Sequence, residues 1–343
     1  MPYVDFVHPL TQRLRTHMIP SRVGIDLTVR CNLRCVHCYL TCHEIHEACK
    51  ETELSTEEVR VVLEELSGAG TLMVEFSGGE PLLRADLLTI LSIARHLGFF
   101  TVVSSNGTLL DVDIIRQLKR LGVKLLISIH GSTAETHDRI AGQEGAFAQT
   151  MRGISMCKRE SVTVGLRATV MRWNAHEVSS ISAMANELCV EYGFACYILP
   201  NLSKSGGIDS IRLTDAQLEQ VGPGILRTWH KRPEVACGAA RTSAWIGSTG
   251  DVSPCALMRR RCGNVRERKF IDIWRDSDAL KEIRGITEGD MGKCLRCNIF
   301  DRCSPCIAAN VGDTGVLVSP SPEYCRINRL GICRMTGSGQ PLT

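Results

Sequence analysis

The chain has 343 residues, a formal net charge of +3 and 17 cysteines. That length can bury a large core and suggests two domains, while the charge is too mild to argue for nucleic acid. So many thiols in a chain this long, with helix and strand patterns throughout, point away from a small secreted disulfide scaffold and toward bound metal. The N-terminus lacks a charged segment followed by an apolar one. No apolar run approaches the roughly 18 residues needed to span a bilayer, and residues 87–103 are interrupted by Arg95 and His96. The expectation is a cytoplasmic protein with no membrane or nucleic-acid partner.

Residues 1–20 read as an N-terminal extension. From 21 to 205, β-rich runs at 22–28, 71–76, 100–104, 124–129, 162–170 and 194–199 alternate with helical periodicity. Ser55 with Glu58 three residues later forms a capping box that opens the first helix, followed by Val59, Val61, Val62, Leu63 and Leu66. Further helices read at 84–97, 111–121, 144–159 and 176–190. Alternation of this kind builds a parallel sheet with right-handed crossovers. Six units rather than eight predict an α/β fold, an open, partial (β/α)6 barrel of the TIM type with its site at the C-terminal ends of the strands. A Gly/Ser-rich break, Ser203 to Gly207, leads into a helical bridge over 206–236 with a helix near 214–228. Over 237–343 the strands are short and Gly, Pro and Cys dominate, so metal clusters would replace the missing core. A domain boundary is drawn near 230, and a short polar end runs from Thr336 to Thr343.

The first strand runs into Cys31, Cys35 and Cys38, spaced CxxxCxxC. Three thiolates can hold three irons of a 4Fe–4S cube and leave the fourth iron open, whereas ferredoxin-type carriers close all four corners with cysteine. A zinc or disulfide loop is the bland alternative. The second strand ends in Gly78, Gly79, Glu80 and Pro81, the third in Ser104, Ser105, Asn106 and Gly107, and the fourth in Ser128, Ile129, His130 and Gly131. With His37 before the last thiol and Tyr39 after it, these motifs resemble the radical SAM superfamily. The resemblance implies that Cys31, Cys35 and Cys38 hold the catalytic cluster. S-adenosylmethionine would chelate the open iron and be cleaved reductively to methionine and a 5′-deoxyadenosyl radical, which abstracts hydrogen from substrate. Glu80 and nearby carbonyls are thereby assigned to the methionine amino group, with Gly78 and Gly79 allowing close backbone approach. His37, Tyr39, Ser104, Asn106 and Ser128 fall around the same cofactor. Arg167 on the fifth strand is the candidate for its carboxylate, with Arg139 as runner-up, and Asn174 closes that strand. His130 stands where relatives often carry aspartate; the bland reading is a loop histidine that caps the next helix.

Cys237, Cys255, Cys294, Cys297, Cys303, Cys306 and Cys325 form a second block. With the Gly250 turn before Pro254-Cys255, Gly263 to Val265, and Ile273-Trp274, it resembles the SPASM domain, a small cysteine-rich unit carrying auxiliary iron–sulfur clusters. The resemblance implies two such clusters. Cys294, Cys297, Cys303 and Cys325 would enclose one, and Cys237, Cys255 and Cys306 would hold three corners of the other. Its fourth corner is open or filled by Cys196 or Cys262. Cys157 and Cys189 read as buried small hydrophobes, while Cys42, Cys49 and Cys333 have no assigned role. A zinc ribbon competes for the CxxC pairs.

The first functional reading is a maturase that cross-links, oxidises or epimerises a peptide or protein. A separate leader-recognition protein and a flavodoxin- or ferredoxin-type reductant are its expected partners. The alternative is small-molecule chemistry such as haem or tetrapyrrole tailoring, to which Gly312-Asp313 and the Pro322 to Cys325 ending are similar. A non-catalytic electron carrier is the third, and it leaves the strand-end motifs without a purpose. Ala256 stands where sulfatase maturases place aspartate, which argues against that role. The basic stretch 259–269 reads as a solvated, charged loop, or otherwise as a dock for an anionic substrate.

Overall fold

The computed structural model describes residues 3–40, 50, 52–199, 207–225, 237–300 and 303–333. Cys42 and Cys49, most of the Ser203–Gly207 break, the boundary near 230, the side chain of Cys333 and the polar end all lie outside the described residues.

Six parallel strands, β1 (Arg22–Thr28), β2 (Met73–Gly78), β3 (Phe100–Ser105), β4 (Lys124–Ser128), β5 (Val164–Thr169) and β6 (Glu191–Ala195), lie side by side in chain order. The sheet stays open at β6, giving the predicted partial barrel. One face of it, with Val23, Ile25, Leu27, Val74, Phe76, Val103, Leu125 and Ile127, is buried in the main apolar core. The helix Thr56–Gly68 supplies Val59, Val62, Leu63 and Leu66 to that core, and its Ser55/Glu58 capping box is formed on both sides. Strand side chains alternate between faces, so Gly24, Asp26, Glu75, Ser104 and Arg167 fall on the opposite, inner face.

Three elements differ from the sequence reading. The last strand of the barrel begins at Glu191 rather than 194, because Tyr192 and Phe194 pack on the main core while Cys196 and Ile198 turn into smaller apolar clusters. A helix at Ala134–Ala141, capped by the Thr133 hydroxyl and ended by Gly142 at φ 69°, is too short to declare a period of its own. A further helix, Tyr3–Thr16, occupies the N-terminal extension. No helix among the described residues is long and apolar enough to cross a membrane.

The cysteine-rich part does not form a sheet of its own. Its strand β7 (Ser243–Ile246) pairs in parallel with the free edge of β1, and β8 (Asp251–Ser253) and β9 (Gly263–Asn264) continue antiparallel, giving one nine-stranded sheet. Gly250, at φ 91°, makes the turn between β7 and β8. Trp274 donates its indole N–H to the Met18 carbonyl at 2.7 Å, and the Phe270 N–H binds Glu65 of the first barrel helix. The β1–β7 seam depends on Gly24. A Cβ there would stand 2.0 Å from the Trp245 ring, which lies directly across the pair. Gly24→Ala is therefore expected to cost about 1–3 kcal/mol by overpacking. Urea unfolding should show this as a lower midpoint with unchanged slope; an unchanged midpoint would count against the seam.

Candidate active site

The loop that carries the first three thiols is seated by backbone contacts. The Gly79 N–H donates to the Thr28 carbonyl and the Glu80 N–H to the Arg30 carbonyl, each at 2.8 Å. A Cβ at Gly78 or at Gly79 would stand 2.1 Å from the Thr28 or the Arg30 carbonyl oxygen, respectively. The two glycines thus admit the chain's own cysteine loop, which is a different use from the ligand approach expected of them. Beneath the loop, Arg30 forks onto buried Glu53 at 2.9 and 3.0 Å, and the Thr28 hydroxyl binds the same carboxylate. Arg84 donates to the Leu27 and Leu54 carbonyls at 3.0 and 2.8 Å. On the other side the Arg34 and Val36 N–H groups bind the Ala141 and Ile140 carbonyls at the end of the helix Ala134–Ala141.

Cys31, Cys35 and Cys38 emerge half-buried from this mount, and none of the described cysteines forms a disulfide. Leu33, 2% exposed, anchors the loop against Ala141 and Ala146. Its N–H points at the Cys31 sulfur at 3.4 Å, while burial pushes that thiol up to about 11. Three thiols on one braced loop, with an N–H aimed at sulfur, fit a cluster with three protein ligands.

Glu80 is fully buried. Its carboxyl accepts from the Leu82 N–H at 3.1 Å, the Ser105 hydroxyl at 2.8 Å and the Asn106 N–H at 2.8 Å. Burial outweighs these donors and raises it to about 7. Ser105, which the sequence reading passed over, is the serine that reaches it. Ser104 instead binds Glu75 on the inner face at 2.8 Å, and the Asn106 amide donates to Asn32 at 2.9 Å.

Glu75 is the hub of that inner face. Arg22, Arg167 and Ser104 all converge on its carboxylate, and they outweigh its burial to hold it below the usual range. Arg22 and Arg167 nevertheless keep 53% and 49% of their side-chain surface open. Ser128 sits beside Arg167 in the β4–β5 register. Deeper in, Asp26 is raised by burial against the pull of Arg259, which binds it at 2.7 Å from the C-terminal part of the chain. The same guanidinium lies 4.8 Å over the Tyr39 ring. Carboxylates inside strands that otherwise read as apolar, Asp26 and Glu75, were the available signal for this chamber.

Three imidazoles line the far side of the loop. His130 packs edge-on against His37 at 4.9 Å and lies tilted against His137 at 5.2 Å. It does not cap the next helix, a task done by Thr133. Asn174 ties the strand ends, donating to the carbonyls of His130 and Thr169 at 2.9 Å each. Arg139 stacks over Trp173 at 4.2 Å.

In the second block, Cys294, Cys297, Cys303 and Cys325 line a single pocket of about 150 Å³ with Phe300 and Arg329. Cys237 and Cys306 lie near Cys255, whose thiol burial and their charge raise to about 12. No three Cys, His, Asp or Glu among the described residues converge as a single-ion site would require. Cys196 is buried near Glu323, and Cys262 lies beside Arg260, Ser277 and Arg284. Cys157 is buried, but Cys189 is exposed, because it follows the last turn of the helix Val178–Glu187 in a positive-φ position. The arginines of the basic stretch are paired: Arg260 with Glu282, Arg261 with Asp251 and Glu267, Arg266 with Glu58, and Arg268 with Asp276.

A model of the radical SAM superfamily matches residues 25–184, and a SPASM model, an iron–sulfur cluster-binding domain, matches 237–298. The chain is 31% identical to an Fe-coproporphyrin III synthase of Methanosarcina barkeri, over 81% of each chain. The chain belongs to the radical SAM superfamily. It is also similar to an AdoMet-dependent heme synthase of the same organism, 28% identical over 89% of this chain and 96% of that one. A PqqA peptide cyclase of Xanthomonas oryzae is 27% identical over 90% of each. Streptococcus suis SuiB, solved with S-adenosylmethionine, superposes with a TM-score of 0.70 at 18% identity, over 94% of this chain and 81% of that one. This radical SAM protein is thus an enzyme that uses S-adenosylmethionine and 4Fe–4S clusters.

Glu80 offers a sharp test of the mount. Glutamine has one acceptor oxygen for three donors and brings an NH2 toward buried N–H groups. Glu80→Gln should lower stability by about 1–3 kcal/mol through the unsatisfied groups, seen in chemical denaturation. Wild-type stability would show that the carboxyl is not the brace.

Proposed function

We propose that this radical SAM enzyme tailors a tetrapyrrole bearing carboxylate side chains. The carrying observation is on the inner face, where Arg167, beside Ser128 at the C-terminal end of β4, shares the buried Glu75 carboxylate yet keeps about half of its side-chain surface open. Such guanidiniums can exchange Glu75 for substrate carboxylates, which they grip in two-pronged fashion. The heme synthase and Fe-coproporphyrin III synthase relatives, matched over most of the chain, support a macrocyclic substrate. A peptide substrate, placed first by the sequence reading, keeps support from the PqqA peptide cyclase relatives.

In this reading Cys31, Cys35 and Cys38 hold the catalytic cluster. Cys294, Cys297, Cys303 and Cys325 hold one auxiliary cluster, and Cys237, Cys255 and Cys306 hold the other. The catalytic cluster with bound S-adenosylmethionine supplies hydrogen-atom abstraction from substrate. The chain's own contribution is to orient the substrate by its carboxylates. Arg167 reaches for them, Glu75 holds that arginine in place beforehand, and Arg259, bound to Asp26, lies over the Tyr39 ring.

Anaerobic turnover with Fe-coproporphyrin III, S-adenosylmethionine and reductant is expected to give a macrocycle of altered mass together with 5′-deoxyadenosine. An unchanged macrocycle alongside a modified peptide substrate would overturn the reading. Arg167→Ala should raise KM for the macrocycle about tenfold or more, the loss of a charged hydrogen bond. Replacing Cys31, Cys35 and Cys38 together by alanine should abolish 5′-deoxyadenosine while leaving the iron of the C-terminal block; retained cleavage would sink the ligand assignment.

A further inference from the structure

The His130 ring is 4% exposed, with its Nε2 3.8 Å from the sulfur of Cys35. Its setting is rigid: its backbone N–H donates to His137 Nδ1 at 3.2 Å, and its carbonyl accepts from the Asn174 amide at 2.9 Å. His37 and His137 pack on the ring. Nδ1 of His130 is buried and has no hydrogen-bond partner, so nothing holds the ring proton on that nitrogen.

We propose that His130 donates an N–H···S hydrogen bond to Cys35 and thereby raises the reduction potential of the cluster held by Cys31, Cys35 and Cys38. This rests on the ligand assignment made above. The direction of the bond follows from chemistry. A cysteine sulfur bound to iron carries no proton, so across that contact only the imidazole can donate, and a neutral imidazole has a single N–H to give. Hydrogen bonds to cluster sulfurs offset the extra negative charge of the reduced state and shift the potential upward. In a buried setting the bond is stronger than it would be in water. His130 is therefore a positioning residue that acts through Cys35.

The test is a redox titration of the full-length, three-cluster enzyme, following by EPR the reduced-cluster signal that changes when S-adenosylmethionine is added. His130→Phe, which removes the donor, should move the midpoint of that cluster to a more negative potential. His130→Gln, which keeps an N–H, should stay closer to wild type, with iron content the same in all three. An unmoved midpoint in His130→Phe at full iron content would overturn the proposal. If His130→Phe does not load iron, pulsed EPR of otherwise wild-type protein with 15N-histidine and unlabelled S-adenosylmethionine decides. A 15N coupling that survives His37→Gln supports the bond, and its absence overturns it. Should Cys35→Ala keep an intact SAM-responsive cluster, the ligand assignment itself fails and the hydrogen bond with it.

Discussion

The structure turns on one backbone contact, the close apposition of Gly78 and Gly79 with the carbonyls of Thr28 and Arg30. It joins the end of β2 to the end of β1 at the point where the cysteine loop leaves the sheet. Any side chain at either glycine would push the loop off its seat. Once seated, the loop is fixed from below by the buried Arg30–Glu53 fork and from the side by the helix Ala134–Ala141. The thiols therefore project from a rigid frame, and such precision in placing ligands is what a preformed cluster site needs.

The same economy shapes the electrostatics. Several buried charges among the described residues are paired: Arg30 with Glu53, Glu75 with Arg22 and Arg167, and Asp26 with Arg259. Breaking such a pair leaves an uncompensated charge, a penalty of about 3–5 kcal/mol. Two of the pairs do more than stabilise. The Asp26–Arg259 pair ties the barrel interior to the cysteine-rich part, beside the Tyr39 ring next to Cys38. The Glu75 hub orients Arg22 and Arg167, each with about half of its side-chain surface open. Continuity of the sheet from β1 into β7 brings these two parts of the chain together.

Much of this was legible in the sequence, and the reasons differ by element. Strand–helix alternation is a strong periodic signal, so β1 through β5 fall close to their expected positions, and the Ser55 capping box forms as read. The helix Ala134–Ala141 escaped because two turns carry too little periodicity. The sharing of one sheet between the barrel and the cysteine-rich part escaped because β7 is four residues long and its partner is more than 200 residues away in sequence. Among site residues, the cysteine spacing marked the loop of Cys31, Cys35 and Cys38 and the C-terminal block as places to look, and the family resemblance implied how the C-terminal thiols divide. Spacing could not say which of two adjacent serines meets Glu80, nor that Gly78 and Gly79 face the carbonyls of the cysteine loop. Those outcomes depend on strand register and on which way each side chain points, and a change of one residue reverses the answer.

The central claim is that the Cys31, Cys35 and Cys38 loop holds a 4Fe–4S cluster with one iron lacking a protein ligand. Mössbauer spectroscopy of the anaerobic, 57Fe-loaded enzyme tests this most directly. Adding S-adenosylmethionine should change the isomer shift of one iron of one cluster and leave the other irons as they were, with that response lost when the three cysteines are replaced. A spectrum unmoved by S-adenosylmethionine, at full iron loading, would contradict the account.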